Sequence, residues 1–321
     1  MTKDIFEELK IKLPNLKSGV LLKDHTTFNI GGPAKYFLEV SKRDYLIEGL
    51  KLAKKFKIPF FILGGGSNVL VSDKGFDGLV LSVKNYGQPL KIKDNIIEAL
   101  AGIEVGELVK FSVDNSLQGL EWAGGLPGTF GGAIRGNAGA FGGEIKDSIL
   151  EVECLDKNLK IRKLTNFQCQ FSYRSSIFKE KNWIIISAKL KFNQGQKEEL
   201  QKIAKSNMDY RKDRHPLELP NAGSIFKNCE YEKLSKKIQK EFSGLVKNDP
   251  FPIVPVVHFI IRDGLKGLKI GGAQISEKHP NFIVNTGNAK AQDVLKLIST
   301  VKSKIKKKYG VNLEQEVQYL E

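Results

Sequence analysis

Two glycine-rich runs carry the densest chemical signal in this 321-residue sequence. The first, Gly64, Gly65, Gly66, Ser67 and Asn68, follows the apolar run PFFIL (59–63). It presents backbone N–H groups with little side-chain bulk. Such a nest accepts a phosphate or pyrophosphate, and the same residues also suit a tight turn. Position 69 is Val69, so the third glycine of a dinucleotide fingerprint is missing, and no Gly-Lys-Ser/Thr follows as in a P-loop. The second run, 119–143, has ten glycines among 25 residues. An interior Gly costs about 0.5–1 kcal/mol relative to Ala, so a specially shaped backbone is expected there rather than an ordinary helix or strand. Pro127, Gly128, Thr129, Gly131 and Gly132, continued by Asn137, Ala138, Gly139 and Ala140, would wrap a second side of the same phosphate group. Together the runs suggest a large flat nucleotide held along its length. A glycine-lined packing surface between two layers is the alternative.

Three further residues stand where their chemistry is of use. Arg174 lies in FSYRSSIF (171–178), beside Tyr173 and bounded by apolar residues. A partly buried guanidinium there wants a carboxylate or phosphate held bidentately, which an internal salt bridge would also satisfy. Ser224 lies in NAGSIFKN (221–228), between Gly223 and an apolar pair, with Lys227 and Asn228 just beyond. It is sited as a functional hydroxyl or as a turn serine, and no G-x-S-x-G elbow marks it as a hydrolase nucleophile. Glu316 lies in LEQEVQYLE (313–321), where alternation is imperfect and the face of each carboxylate is open. His25, His215, His258 and His279 are scattered, and Cys154, Cys169 and Cys229 have no ligand spacing, so no metal is expected.

The elements that must position these residues can be read from pattern. Residues 1–24 read as a lead-in helix with a basic tail, and 34–40 as a strand. Ser41, with Asp44 three residues on, reads as the capping box of a helix ended by Pro59. Strands are expected at 59–63, 68–72 and 79–83, and a helix at 104–114. An antiparallel meander is expected from 150–155, 161–165 and 183–192, then an amphipathic helix at 196–214. Residues 221–228 read as a loop or short strand, and 231–242 and 255–263 as helices. A glycine-rich corner at 264–272, a strand at 281–285 and a long basic helix at 290–308 follow. The lysines of 302–310 are expected on its solvated face.

Composition bounds the class. The length carries a prior of two domains, and 41% hydrophobic content is ordinary for a globular protein. No apolar run reaches the roughly 18 residues of a membrane span. Met1 to Pro14 has no apolar core of a signal peptide, and three cysteines make no disulfide framework. A soluble, cytoplasmic α/β-type protein is expected. The net charge of +15 comes from 44 Lys and only 7 Arg against 36 acidic residues. Base-reading proteins lean on Arg forks, so small anionic ligands fit this balance better than a nucleic-acid partner.

Six motifs stand in an order that resembles one family. They are LGGGSNVLVSDKGFDGLVL, GLPGTFGGAIRGNAGAFGGEI, FSYRSSIF, NAGSIFKN, GLKGLKIGGAQISEKHPNFIVN and LEQEV. The family is that of the UDP-N-acetylenolpyruvoylglucosamine reductases (MurB), and the resemblance runs from about His25 to Tyr319. It implies an α+β fold: a bipartite FAD-binding domain of the vanillyl-alcohol-oxidase (PCMH) type, placed at 1–195 with two subdomains, and a smaller α+β substrate domain at 196–321. It implies non-covalent FAD, NADPH as co-substrate, and reduction of the enolpyruvyl group of UDP-N-acetylglucosamine enolpyruvate to UDP-N-acetylmuramate in peptidoglycan synthesis. A cytoplasmic monomer acting on a UDP-sugar, with neither nucleic acid nor membrane as partner, follows from the same resemblance.

By the same resemblance Arg174 holds the substrate carboxylate, Glu316 sits on that group, and Ser224 gives a proton to the carbon. Gly64, Gly65, Gly66, Ser67, Asn68, Pro127, Gly128, Gly131, Gly132, Asn137, Gly139 and Ala140 become the FAD cradle. Tyr173, Arg214, Lys227 and Asn228 become substrate contacts, Arg214 and Lys227 toward the diphosphate. The chain departs from the family pattern at Cys229 and Gln315, where proline is usual, at Gln318, where Arg is common, and at Phe130, where a small aliphatic is usual. Only 49 residues separate Arg174 from Ser224, which points to the shorter subgroup without the substrate-capping tyrosine loop.

Overall fold

The computed structural model describes residues 5–84 and 91–321; the first four residues of the expected lead-in helix lie outside them. The chain divides into two compact units, each assembled from separated stretches. One comprises 1–20, 34–65 and 77–209, the other 21–33, 66–76 and 210–321. The domain limits read from sequence, a single break after residue 195, differ from this division. The break falls inside the helix Lys197–Arg214, and two early segments join the later one.

The first unit is built on two larger sheets. Four strands lie in the order Lys17–Leu21, Pro33–Glu39, Phe76–Ser82, Phe60–Leu63, with the last two parallel. The helix Arg43–Lys55 supplies the crossover, and Gly49 lets it approach Leu81, whose Cδ2 lies 2.9 Å from where a Cβ would stand. Its N-cap is Lys42, one residue later than expected, so Ser41 stands too far out to cap it. The lead-in is shorter than expected: the helix ends at Lys12 ahead of Pro14, and a strand follows. The second sheet has five strands, ordered Ile161–Thr165, Ile149–Leu155, Ile184–Lys191, Ile96–Leu100, Lys91–Lys93, all antiparallel. It is not the expected meander, because Ile184–Lys191 returns to pair with Ile149–Leu155.

The glycine-rich stretch is more regular than its composition suggests. It contains the helix Phe130–Arg135 and a small ladder of Gly139–Ala140 with Gly143–Glu144. Gly131 is tolerated in that helix for contact reasons: a Cβ there would stand 2.7 Å from the Cβ of Ala101. Gly124 likewise lets the loop reach the backbone of Ala204 on the helix Lys197–Arg214. Within this helix the inward stripe is narrow: Leu200, Ala204, Asn207 and Arg211, with Asn207 Nδ2 donating to the Glu121 carbonyl at 3.1 Å.

The second unit is built on four antiparallel strands, ordered Asn221–Ser224, Phe282–Asn285, Ala273–Ile275, Lys269–Ile270. The helix Ala291–Tyr309 buries Val294, Leu297, Ile298, Val301, Ile305 and Tyr309 at helical spacing. Lys304, Lys306, Lys307 and Lys308 face solvent, as the pattern predicts. Asp73 accepts the Ala291 amide at 3.0 Å and so caps this helix from a distant part of the sequence. Phe242, Phe259 and Tyr309 form an aromatic core, with the two Phe rings stacked at 4.3 Å. Gln318–Leu320 pairs in parallel with Val69–Val71.

Candidate active site

In the first unit the two glycine runs touch backbone to backbone. A Cβ at Gly65 would stand 2.7 Å from Gly128 Cα, and one at Gly64 would stand 2.5 Å from Thr129 Oγ1. Gly128 has a φ of 102°, where a side chain would be strained. Among the described residues, the protein offers no acceptor to the amides of Gly64 or Gly65. These half-buried donors, on residues with no side chain, fit the phosphate part of FAD. Two of the expected cradle residues are used otherwise. The Gly131 amide donates to the Ala101 carbonyl at 2.7 Å and has no proton left for a phosphate. Asn137 is fully buried, and its side chain is consumed internally. Nδ2 donates to Glu144 Oε1 at 2.9 Å and to the Ser172 carbonyl at 3.0 Å, while Oδ1 accepts from the Lys146 amide at 3.3 Å.

That bracket holds the turn carrying Arg174. Ser172 and Ser175 exchange backbone hydrogen bonds of 3.1 Å, and Arg174 between them adopts a left-handed φ of 55°. Its Nη2 donates to the Gly139 carbonyl at 2.7 Å, its guanidinium lies 4.9 Å from the Tyr173 ring, and its own carbonyl accepts from Lys179 Nζ at 3.0 Å. Glu144, 4% exposed, pairs with Lys146 Nζ at 2.5 Å. Sequence reasoning gave Glu144 no role. The signal was a lone carboxylate closing a glycine run, which is legible only once its burial is known.

In the second unit Gly66, with a φ of 65°, lies against the backbone of His25 and Thr26, and its carbonyl accepts from the Thr27 amide at 3.2 Å. Asn68 is tied to the C-terminal motif. Its Nδ2 donates to the Glu316 carbonyl at 3.3 Å and its carbonyl accepts from the Gln318 amide at 3.1 Å. Ser224 pairs with Phe282 after an irregularity in the strand, where Gly223 has a φ of 74° and its amide donates to Asn221 Oδ1 at 3.0 Å. The next three residues zip onto the segment bearing Glu316. The Glu316 amide donates to the Ile225 carbonyl at 2.8 Å, and the Lys227 amide to the Glu314 carbonyl at 2.9 Å. Phe226 and Gln315 thus face each other without using the amide of residue 315, so Gln315 and the proline usual there suit the same backbone.

The structure therefore brings Ser224 and Glu316 onto adjoining bonded segments of one unit, and it carries Arg174 on the other. The expected substrate contacts differ in availability. Lys227 is half-sheltered and pairs with Glu314 Oε1 at 2.5 Å, and Asn228 Oδ1 accepts from the Val256 amide at 3.2 Å. Arg214 is exposed in the last turn of its helix, 5.8 Å from the Tyr210 ring. Burial pushes the thiols of Cys154, Cys169 and Cys229 up to about 12, so none is poised as a thiolate. No group of His, Cys, Asp and Glu that could hold a metal occurs among the described residues.

The chain matches two families along its length. Residues 34–165 match the FAD binding domain, and residues 215–320 match the UDP-N-acetylenolpyruvoylglucosamine reductase C-terminal domain. The UDP-N-acetylenolpyruvoylglucosamine reductase of Caldanaerobacter subterraneus subsp. tengcongensis is 40% identical over 307 residues, 94% of each chain. That of Alkaliphilus oremlandii is 38% identical over 296 residues, 92% of this chain and 90% of its own. The crystal structure of the Thermus caldophilus enzyme superposes with a TM-score of 0.74 at 30% identity, covering 95% of this chain and 100% of that one. The bipartite α+β FAD-binding fold expected from the sequence is the one found. With relatives this similar over nearly the whole length, the chain belongs to the UDP-N-acetylenolpyruvoylglucosamine reductases, a family of FAD-containing oxidoreductases.

Proposed function

We propose that this chain reduces the enolpyruvyl group of UDP-N-acetylglucosamine enolpyruvate with NADPH, giving UDP-N-acetylmuramate, through Arg174, Ser224 and Glu316. The reaction is that of its family, an FAD-dependent step of peptidoglycan synthesis on a small-molecule UDP-sugar. Bound FAD supplies the hydride relay from NADPH to the terminal carbon of the enol ether. As that carbon gains hydride, negative charge grows on the adjacent carbon and its carboxylate. Arg174 holds the carboxylate, and its left-handed turn and Gly139 bond support this by fixing the guanidinium before substrate arrives. Glu316 shares a proton with that carboxylate. Ser224 gives a proton to the charged carbon, which completes the addition of hydride and proton across the double bond. A serine is a poor acid, and its use rests on preorganisation.

The observation that supports this reading is the backbone zip between the segment following Ser224 and the segment bearing Glu316. Gly64, Gly65, Gly66, Ser67 and Asn68, with Pro127, Gly128, Gly132, Gly139 and Ala140, bind FAD, while Gly131 and Asn137 support the cradle without touching it. Tyr173, Arg214, Lys227 and Asn228 serve the sugar nucleotide, Lys227 after exchanging Glu314 for a diphosphate oxygen. We assign FAD binding to 1–195 and substrate binding to 196–321, as the family matches at 34–165 and 215–320 support. Among the described residues no helix is long and apolar enough to cross a membrane. We further propose a cytoplasmic monomer with no nucleic-acid partner.

Ser224→Ala tests the assignment. NADPH bleaching of the flavin needs no proton from Ser224 and should proceed at a near-normal rate. Return of the yellow colour on adding the enolpyruvyl substrate should slow by ~10²–10⁴-fold, the usual worth of a placed acid. Both steps are visible by stopped-flow absorbance. A Ser224→Ala protein slowed in bleaching but not in recovery would remove Ser224 from the role.

A further inference from the structure

We infer that Asn281 is a positioning residue for the Ser224–Glu316 pair, acting through the backbone of Ile225 and Phe226; the inference rests on the functional reading above. Regular pairing of the Ser224 strand with its neighbour stops at Phe282. Asn281, 4% exposed, then takes over the pairing with its own side chain. Its carbonyl accepts from the Ile225 amide at 2.8 Å. Its Oδ1 accepts from the Phe226 amide at 3.1 Å, and its Nδ2 donates to the Phe226 carbonyl at 2.8 Å. One side-chain amide thus stands in for a peptide group and satisfies both backbone groups of Phe226.

On the opposite edge Ile225 and Lys227 are bonded to Glu316 and Glu314. The segment 225–227 is therefore bonded on both edges, with Asn281 as one of its two neighbours. Without Asn281 the buried N–H and C=O of Phe226 would seek other partners, and the strand would shift. A shift there moves Ser224 at one end and the register of Glu316 at the side. Asn alone among residues of this size has both an acceptor and a donor on one planar group. Neither group is a reacting one, so Asn281 sets geometry and does not touch the substrate.

The test compares wild-type holoenzyme with Asn281→Ala and Asn281→Asp. Hydrogen exchange at the amides of Ile225, Phe226 and Lys227 is measured without turnover and should quicken in Asn281→Ala. In stopped flow, flavin bleaching by NADPH should stay near normal. Recovery with the enolpyruvyl substrate should slow by roughly 10–10²-fold, because small misplacements of a reacting group have that effect. The solvent deuterium isotope effect on recovery should rise, since proton delivery becomes limiting. Asn281→Asp adds a pH signature: when protonated, a buried carboxyl can again accept from one Phe226 group and donate to the other. Its recovery rate, relative to wild type, should improve as pH falls from 8 to 6, while the Asn281→Ala deficit stays flat. If Asn281→Ala does not fold, the Asp variant at pH 6 and 8 carries both measurements. Unchanged exchange at 225–227, equal slowing of both steps, or an Asp variant indifferent to pH would each overturn the inference. A wild-type enzyme whose reduced flavin ignores the enolpyruvyl substrate would instead overturn the functional reading, and the exchange measurement would still decide the role of Asn281.

Discussion

At the scale of single residues, the groups proposed to act are distinct from groups spent on holding the backbone in place. Asn137 illustrates the second kind. Its amide is sealed between Glu144 and the Ser172 carbonyl, below Arg174. Asn137→Asp would set two carboxylates in contact, which only a shared proton can relieve. That raised carboxyl pKa means the folded protein binds more protons than the unfolded chain, so the variant loses stability as pH rises. We expect a deficit of about 3 kcal/mol at pH 8 that shrinks toward pH 5, measured by denaturant unfolding at each pH. Gly65 teaches a related lesson. An acidic side chain there would collide with the Gly128 backbone before it repelled any phosphate, so loss of colour in Gly65→Asp would report a displaced loop. Arg174 and Ser224 draw notice in sequence because each stands beside apolar residues in a short run, whereas Glu316, set among Glu314, Gln315 and Gln318, is singled out only by the family resemblance. The internal bonds of Asn137, Glu144 and Asn281 are not legible there, since a polar side chain spent on internal bonds has the same local sequence as one aimed at a ligand.

At the scale of elements, the helix Ala291–Tyr309 shows how local pattern and distant contact divide the work. Its spacing of apolar residues and its Gly310 stop, with a φ of 70°, are written in its own sequence. Its N-terminal cap is only partly so: Asp293 accepts the Lys290 amide at 3.0 Å from within the helix, while Asp73 accepts the Ala291 amide from another part of the chain. Asp73→Ala should lower stability by about 1 kcal/mol, read as a reduced thermal midpoint, while bleaching of the flavin by NADPH stays near wild type. Helices and strands with strong periodicity fell where the pattern put them, as at 104–114 and 281–285. Strand partners did not: Ile184–Lys191 returns past its sequence neighbour to Ile149–Leu155, a choice set by layer packing that no local signal carries. Glycine density misled for a similar reason. In the helix Phe130–Arg135 the close approach to Ala101 leaves no room for a side chain at Gly131.

At the scale of the whole molecule, two histidines tie stability to acidity. His215 and His279 pack edge to face at 5.3 Å, and both also touch the Phe282 ring. Burial first, then the positive charges nearby, push each down from 6.5 to about 4. The unfolded chain therefore takes up protons on both below about pH 6.5, and the folded protein does so only near pH 4. Stability from this pair is complete above pH 6.5 and is lost progressively as pH falls through that window. Thermal midpoints measured from pH 7.5 to 4.5 should trace the decline, and His215→Phe should flatten it; a midpoint flat down to pH 5 would contradict it. The parallel pairing of Val69–Val71 with Gln318–Leu320 has a consequence in time. A ribosome makes the buried apolar run Val69–Val71 early and its partner strand only after most of the chain has emerged. The second unit cannot close until residue 320 is made, so the nascent chain must carry an unpaired apolar strand through most of its synthesis, where a holding chaperone would find its natural client.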